Sequence, residues 1–224
     1  MFNIIAPTYD TINKYMTLNS DKNWRKKVSN IVYKKNVKSI LDVATGTGDI
    51  AFEMAKDNVK IIAIDNANEM LEIAKEKSKD FNTDSIIDFQ LDDAENLTFS
   101  DNSFDAVTVG FGVRNFEDLK KGLSEIYRVL KPEGQIVILE TAVPQTIISK
   151  IGYFLHTNLL IPFLGLVIAK NSNAYKYLSK SAKNFPHGER FKEILNETGF
   201  CDVAIESETF GVVNIYSANK LINN

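Results

Sequence analysis

Asp42, Gly46, Thr47, Gly48 and Asp65 are the residues of this chain whose types and spacing point most directly to chemistry. Asp42 follows the apolar run Ser39-Ile40-Leu41, and Ala44-Thr45-Gly46-Thr47-Gly48-Asp49 follows before helical spacing resumes. The segment therefore reads as a buried strand turning sharply into a helix. Its glycines can take backbone angles closed to other residues and let a ligand reach the main chain, beside the unpaired N–H groups that open the helix. Asp65 closes a second apolar strand about twenty residues on, where a carboxylate can accept hydrogen bonds from both hydroxyls of a ribose. Gly46-Thr47-Gly48-Asp49-Ile50-Ala51 also fits the loose dinucleotide pattern G-x-G-x-x-G/A, so the glycines alone leave the ligand open. Asp42 narrows it, because a carboxylate at the strand end would repel a pyrophosphate. S-adenosyl-L-methionine has no phosphate and carries a cationic amino group that suits that acid. The plainer alternative makes Asp42 a turn cap and Asp65 an ordinary strand-end residue.

The rest of the chain supplies elements to hold these groups. Phe2 to Tyr15 reads as a short helical or irregular arm able to act as a lid, within an N-terminal arm at 1–36. Ser20 or Asp21 can cap a helix through Trp24, Val28, Ile31 and Val32, with Arg25, Lys26 and Lys27 on its solvated side. Strands are predicted at Val59–Ile64, Ile86–Leu91, Phe104–Gly110 and Gln135–Thr141. Helices are predicted over Ile50–Lys56, from a cap at Asn66 or Asn68, and along Leu119, Leu123, Ile126, Tyr127 and Leu130, the last stopped by a turn at Lys131-Pro132-Glu133-Gly134. Such alternation implies an α/β fold, a mostly parallel sheet with helices on both sides. Asp42, Asp65 and Asp93 then converge on one crevice at the strand ends, where Asp93 can accept from an adenine amino group. Past a helix at His187–Thr198, Val203–Thr209 and Val212–Ala218 form a terminal antiparallel hairpin.

Composition bounds the reading further. With 224 residues the chain is taken as one domain, 1–224, and a net charge of -3 gives no basic field for nucleic acid. One cysteine, Cys201, and two histidines offer neither a disulfide nor a metal cluster, so no metal is expected. The N-terminus lacks a charged-then-apolar signal, which favours the cytoplasm. Ile151 to Ala169 is an uncharged run interrupted by His156, Asn158 and Pro162, which argues against a membrane span. It reads instead as the apolar wall of a greasy-substrate cap within an insertion at 145–186.

Three stretches carry a resemblance: Phe111-Gly112-Val113-Arg114-Asn115, Tyr175-Lys176-Tyr177-Leu178-Ser179-Lys180-Ser181 with Phe185-Pro186, and Ala6-Pro7-Thr8-Tyr9-Asp10 with Asn13. Together with the first-strand pattern and Arg128-Val129-Leu130-Lys131-Pro132-Glu133-Gly134, they resemble the UbiE/MenG family of menaquinone and ubiquinone C-methyltransferases, class I enzymes with a Rossmann-like fold. The resemblance implies S-adenosyl-L-methionine as cofactor, with contacts at Thr47, Asp65, Asp93, Ala94 and Gly110, where many members have a serine. Ala44, and Thr141-Ala142-Val143 in place of Phe-Ser-Lys, are further departures. It implies a prenylated quinol as substrate, most plausibly demethylmenaquinol, with a 2-methoxy-6-polyprenyl-benzoquinol as a second acceptor. It also implies transient contact with the inner face of the membrane; a homodimer stays open.

A ring carbon is a poor nucleophile until the neighbouring hydroxyl ionises, so Arg114 is the candidate for stabilising that oxyanion. Asn115 is the candidate for orienting the quinol oxygen or a water that carries the proton away. Tyr9 is expected to close over the cofactor. Three alternatives stay open: a methyltransferase of a soluble acceptor, a nicotinamide-dependent oxidoreductase using the loose glycine pattern, and a catalytically silent cofactor-binding scaffold.

Overall fold

Apolar runs form the central strands, and alternating polar and apolar residues form those at the edges. The computed structural model describes residues 2–144, 146, 149, 150, 177 and 180–222. Strands β1 (Ser39–Val43), β2 (Lys60–Asp65), β3 (Ile87–Leu91), β4 (Phe104–Gly110), β5 (Leu130–Thr141), β6 (Phe200–Glu208) and β7 (Val213–Lys220) form one sheet in the order β3-β2-β1-β4-β5-β7-β6. The first five are parallel, and β7 pairs antiparallel with both β5 and β6. This is the expected α/β sheet with its terminal hairpin.

Alternation along the strands builds two cores. Val137 and Leu139 of β5 face helices α2 (Ser20–Val32), α3 (Asp49–Met54) and α4 (Asn68–Asp80). Ile136 and Ile138 face α5 (Leu119–Val129) and α6 (Glu189–Glu197) on the other side. A third cluster seats the N-terminal segment, where Ile5, Ala6 and Ile12 pack on Ala67 and Met70.

Several local expectations are corrected. The N-terminal arm is a continuous helix, α1 (Phe2–Thr17), with Pro7 inside it. Proline removes only one backbone donor, and packing on α4 holds the rest. Helix α2 is not capped by Ser20 or Asp21; its N-cap is Asn19, left-handed and without a side-chain bond. The Asp21 carboxylate instead accepts from Thr17 Oγ1 at 2.7 Å and from Arg25 Nη1 at 2.6 Å. Nor does an asparagine side chain cap α4: its N-cap is Ala67, whose N–H donates to Asp65 Oδ1 at 2.9 Å. Helix α5 stops before Lys131–Gly134 as expected, but that segment is not a separate turn ahead of the strand. It lies inside β5 as a bulge, the register slipping between Phe104 and Ala106 of β4. The expected apolar wall at 151–169, and most of the insertion at 145–186, lie outside the described residues. Among the described residues, no helix is long and apolar enough to cross a membrane.

Candidate active site

Parallel strands leave their carboxyl ends on one edge, and a cavity of about 550 Å³ opens there beside the glycine loop. Loop 44–48 can turn back over β1 because Ala44, Gly46 and Gly48 all have positive φ, at 54°, 56° and 87°. Glycine meets that demand freely; Ala44 meets it under strain. The Thr45 N–H donates to the Ile64 carbonyl and the Gly46 N–H to Asp65 Oδ2 at 2.8 Å, which ties the loop to β2.

Asp42 lies at the cavity floor, 1% exposed, its oxygens accepting from Thr45 Oγ1 at 2.6 Å and Thr108 Oγ1 at 2.7 Å. Burial pushes its carboxyl up to about 6, against the two hydroxyl bonds that favour the charge. Asp65 is raised too, again by burial, against the backbone N–H groups of Gly46 and Ala67. Both its oxygens already accept one bond each, and a carboxylate has lone pairs left for more.

Arg114 projects from a single 3-10 turn, Val113–Asn115, after β4. Its Nη1 donates to Glu140 Oε1, and Glu140 is wholly buried near the end of β5. Thr141 adds its N–H at 2.6 Å and its hydroxyl at 3.0 Å to that same oxygen. The departure at Thr141 thus places another donor on the acid that holds Arg114. Asn115 occupies the same turn but is not part of the cavity wall; its Nδ2 donates to the Phe111 carbonyl at 3.3 Å. Its Oδ1, together with Arg114 Nε and Glu140 Oε2, is buried without a hydrogen-bond partner among the described residues.

Helix α1 roofs the loop. The Tyr9 ring reaches within 4.0 Å of where a Cβ on Gly46 would sit. Burial raises its phenol, against a hydrogen bond with Asn13 and the charge of Arg114, so Tyr9 stays protonated at neutral pH. A polar chain fastens the roof: Thr47 Oγ1 donates to Asp10 Oδ1 at 2.6 Å, and Lys77 pairs with Asp10 at 3.0 Å and Asp49 at 2.6 Å. Arg25, expected on the solvated face, instead lines the cavity and pairs with Asp21 and Asp49. A helix advances about 100° per residue, so Lys26 and Lys27 are exposed while Arg25 stays with Asp21 and Trp24.

The cavity thus gathers Tyr9, Asp42, Gly46, Thr47, Gly110 and Arg114. Gly48, Asp65, Asp93, Ala94 and Asn115 are not among the residues that line it. Asp93 is exposed, and its Oδ1 accepts from the Glu95 N–H at 2.9 Å. At Gly110 a Cβ would come within 2.2 Å of Ile50 Cδ1, so isoleucine fills the space that a serine would need. Glu140, Asp49, Lys77 and Asp10 carry the site's polar framework and were not singled out from sequence. An acid ending the otherwise apolar Ile136-Val137-Ile138-Leu139 was the one legible signal among them.

A family model described as the ubiE/COQ5 methyltransferase family matches residues 1–220. The chain belongs to that family. A Bacteroides fragilis protein named demethylmenaquinone methyltransferase is 41% identical over 222 residues, covering 98% of this chain and 91% of that one. A Geotalea daltonii protein named ubiquinone/menaquinone biosynthesis C-methyltransferase UbiE is 39% identical over 224 residues, with 98% and 94% covered. Among solved structures, a Thermotoga maritima SAM-dependent methyltransferase shares the fold at a TM-score of 0.68 and 17% identity, covering 98% of this chain and 99% of that one. Haemonchus contortus phosphoethanolamine N-methyltransferase 2, solved with S-adenosyl-L-methionine, matches at 0.63 and 20% identity over 87% of this chain and 52% of that one. Membership in the ubiE/COQ5 family makes the chain a methyltransferase, and the oxidoreductase and silent-scaffold alternatives are not favoured.

Proposed function

We propose that this enzyme methylates a ring carbon of a prenylated quinol, demethylmenaquinol, with S-adenosyl-L-methionine as cofactor. The observation that carries the reading is Arg114, held by the wholly buried Glu140 at the wall of a largely apolar cavity whose floor is Asp42. Family membership and the relatives' names support the substrate class.

The residues present suit that cofactor. Asp42 offers a buried carboxylate to its cationic end, Thr47 and the loop N–H groups lie alongside, and Asp65, Asp93 and Ala94 follow the strand ends where the ribose and adenine would lie. Bound S-adenosyl-L-methionine supplies an electrophilic methyl group. Arg114 stabilises negative charge on the quinol oxygen once its proton has left, which raises electron density on the neighbouring ring carbon. The methyl would pass to that carbon as its bond to sulfur breaks and a neutral thioether leaves, and the ring hydrogen would then leave to water as a proton, restoring the aromatic ring. Glu140 keeps the guanidinium from swinging into the apolar space, and Asn115 Oδ1 is the unspent acceptor beside it. Tyr9, protonated, serves as roof rather than base.

We place the enzyme in the cytoplasm, working transiently at the inner membrane surface. Leu18 and Phe210 line the cavity yet are 76% and 86% exposed, which would suit a rim pressed into lipid. The test is acceptor choice: reduced demethylmenaquinone in liposomes should be methylated far faster than short-chain naphthoquinols or water-soluble phenols. Preference for the soluble acceptors would overturn the substrate reading and leave the methyltransferase standing.

A further inference from the structure

The cavity wall carries three carboxylates, Asp21, Asp42 and Asp49, and two guanidiniums, Arg25 and Arg114. The amino-acid end of S-adenosyl-L-methionine bears an ammonium and a carboxylate on one carbon, so its pocket needs both signs within a few ångströms. Acids are plentiful; the partner of the carboxylate is the unassigned half. Arg114 is the group assigned above to the quinol oxygen, its Nη1 held by Glu140 and its Nε sealed from solvent. Lys77 is not part of the cavity wall and donates to Asp10, Thr47 and Asp49.

Arg25 is different. Its Nη1 alone makes both ion pairs, at 2.6 Å to Asp21 Oδ2 and 3.1 Å to Asp49 Oδ2. Among the described residues its hydrogen bonding runs through Nη1, which leaves Nε and Nη2 for a ligand, and the side chain is only 16% exposed and lines the cavity. The two acids hold the guanidinium through Nη1, and Arg25 lines the same cavity as Gly46 and Thr47. A planar fork with two free N–H donors matches a carboxylate in a way that a lysine does not.

We infer that Arg25 binds the carboxylate of the cofactor's amino-acid end, an assignment that rests on reading this cavity as the S-adenosyl-L-methionine site. Asp21 and Asp49 are then positioning residues for Arg25, and helix α2 is part of the cofactor site as well as of the core.

The experiment compares S-adenosyl-L-methionine with its decarboxylated analogue, which keeps the ammonium and the sulfonium, by calorimetric titration of the full chain. Wild type should prefer the carboxylated form by roughly 10- to 100-fold, the range of a charge-assisted hydrogen-bonded pair. Arg25→Met should erase most of that preference while binding the analogue as wild type does, and Arg25→Lys should recover only part. Asp21→Asn, which loosens Arg25 but keeps its charge, should lose only part of the preference, and a loss as complete as in Arg25→Met would make Arg25 a mere latch of α2 and overturn the assignment. An equal loss for both ligands in Arg25→Met, or an intact preference, overturns the assignment. Failure of wild type to bind either ligand overturns the cofactor-site reading itself, and this inference with it.

Discussion

Asp42 sits at the cavity floor with two hydroxyl donors and no ion-pair partner among the described residues. Its carboxyl, ordinarily near 3.8, is pushed up to about 6 by burial. Between those values the unfolded chain releases a proton that the folded chain keeps, so stability falls as pH rises through the window, by about 3 kcal/mol in all. A cationic ligand reverses the balance by favouring the ionised form. Cofactor binding near pH 5.5 should therefore release a proton, visible as a buffer-dependent heat in calorimetry, and affinity should climb as pH rises through about 6. Binding heats independent of buffer would contradict a role for Asp42 opposite the cationic end. Asp42→Asn should raise the thermal stability of the ligand-free protein at pH 7, by about 1–2 kcal/mol, while weakening cofactor binding at least ~10-fold. Glu140 poses the opposite case. Glu140→Ala strands Arg114 as a buried unpaired charge and should cost about 3–5 kcal/mol by chemical denaturation. Glu140→Gln keeps the shape and should lower kcat with little change in cofactor affinity.

Helix α1 reaches the site through contacts that its sequence hides. Pro7 and the scattered aromatics of Phe2–Tyr15 blur its periodicity, and the helix is fixed by Ile5, Ala6 and Ile12 packing on α4. Its other anchor is the chain from Thr47 through Asp10 and Lys77 to Asp49. These ion pairs are partly exposed, so Lys77→Met should cost only about 0.5–1 kcal/mol of stability. It should nevertheless loosen the roof: amide hydrogen exchange in α1 should quicken and cofactor dissociation accelerate, both unchanged if the chain is idle decoration. Tyr9→Ala should do the same, with Tyr9→Phe close to wild type because the ring covers Gly46. The strands were legible because apolar runs such as Ile136–Leu139 admit little else. The bulge at Lys131–Gly134 was not, since Pro132 and Gly134 in sequence signal a stop, whereas β4 pairs across the insertion. Arg25 was misread for a similar reason. A run of three basic residues looks like one surface until helix phase separates its first member from the other two.

The molecule as a whole sets a sheet edge, a helical roof and a half-open apolar cavity against one another. The mostly parallel sheet followed from the alternation of elements and the terminal hairpin from the two strands flanking Phe210-Gly211, and the glycine loop with Asp42 and Arg114 followed from local motifs; the strand order did not. Glu140 beside Arg114 and Asp49 beside Arg25 are brought together by elements distant in sequence, so spacing does not announce those pairs, whereas Asp21 and Arg25 share a helix at i,i+4. Leu18 and Phe210, at positive φ of 50° and 57°, both line the cavity while staying exposed. Leu18→Ser with Phe210→Ser should reduce co-sedimentation with anionic liposomes and raise KM for a membrane-held quinol, leaving turnover of a detergent-dispersed one near wild type. The measurement that bears most directly on the whole account is transfer of labelled methyl from S-adenosyl-L-methionine to demethylmenaquinol, run in parallel for wild type and Arg114→Ala. The account predicts transfer by wild type and a loss of at least ~100-fold in Arg114→Ala, the size of one lost oxyanion donor, with cofactor binding unchanged. Undiminished transfer by Arg114→Ala, or cofactor binding without transfer to any prenylated quinol, would contradict it.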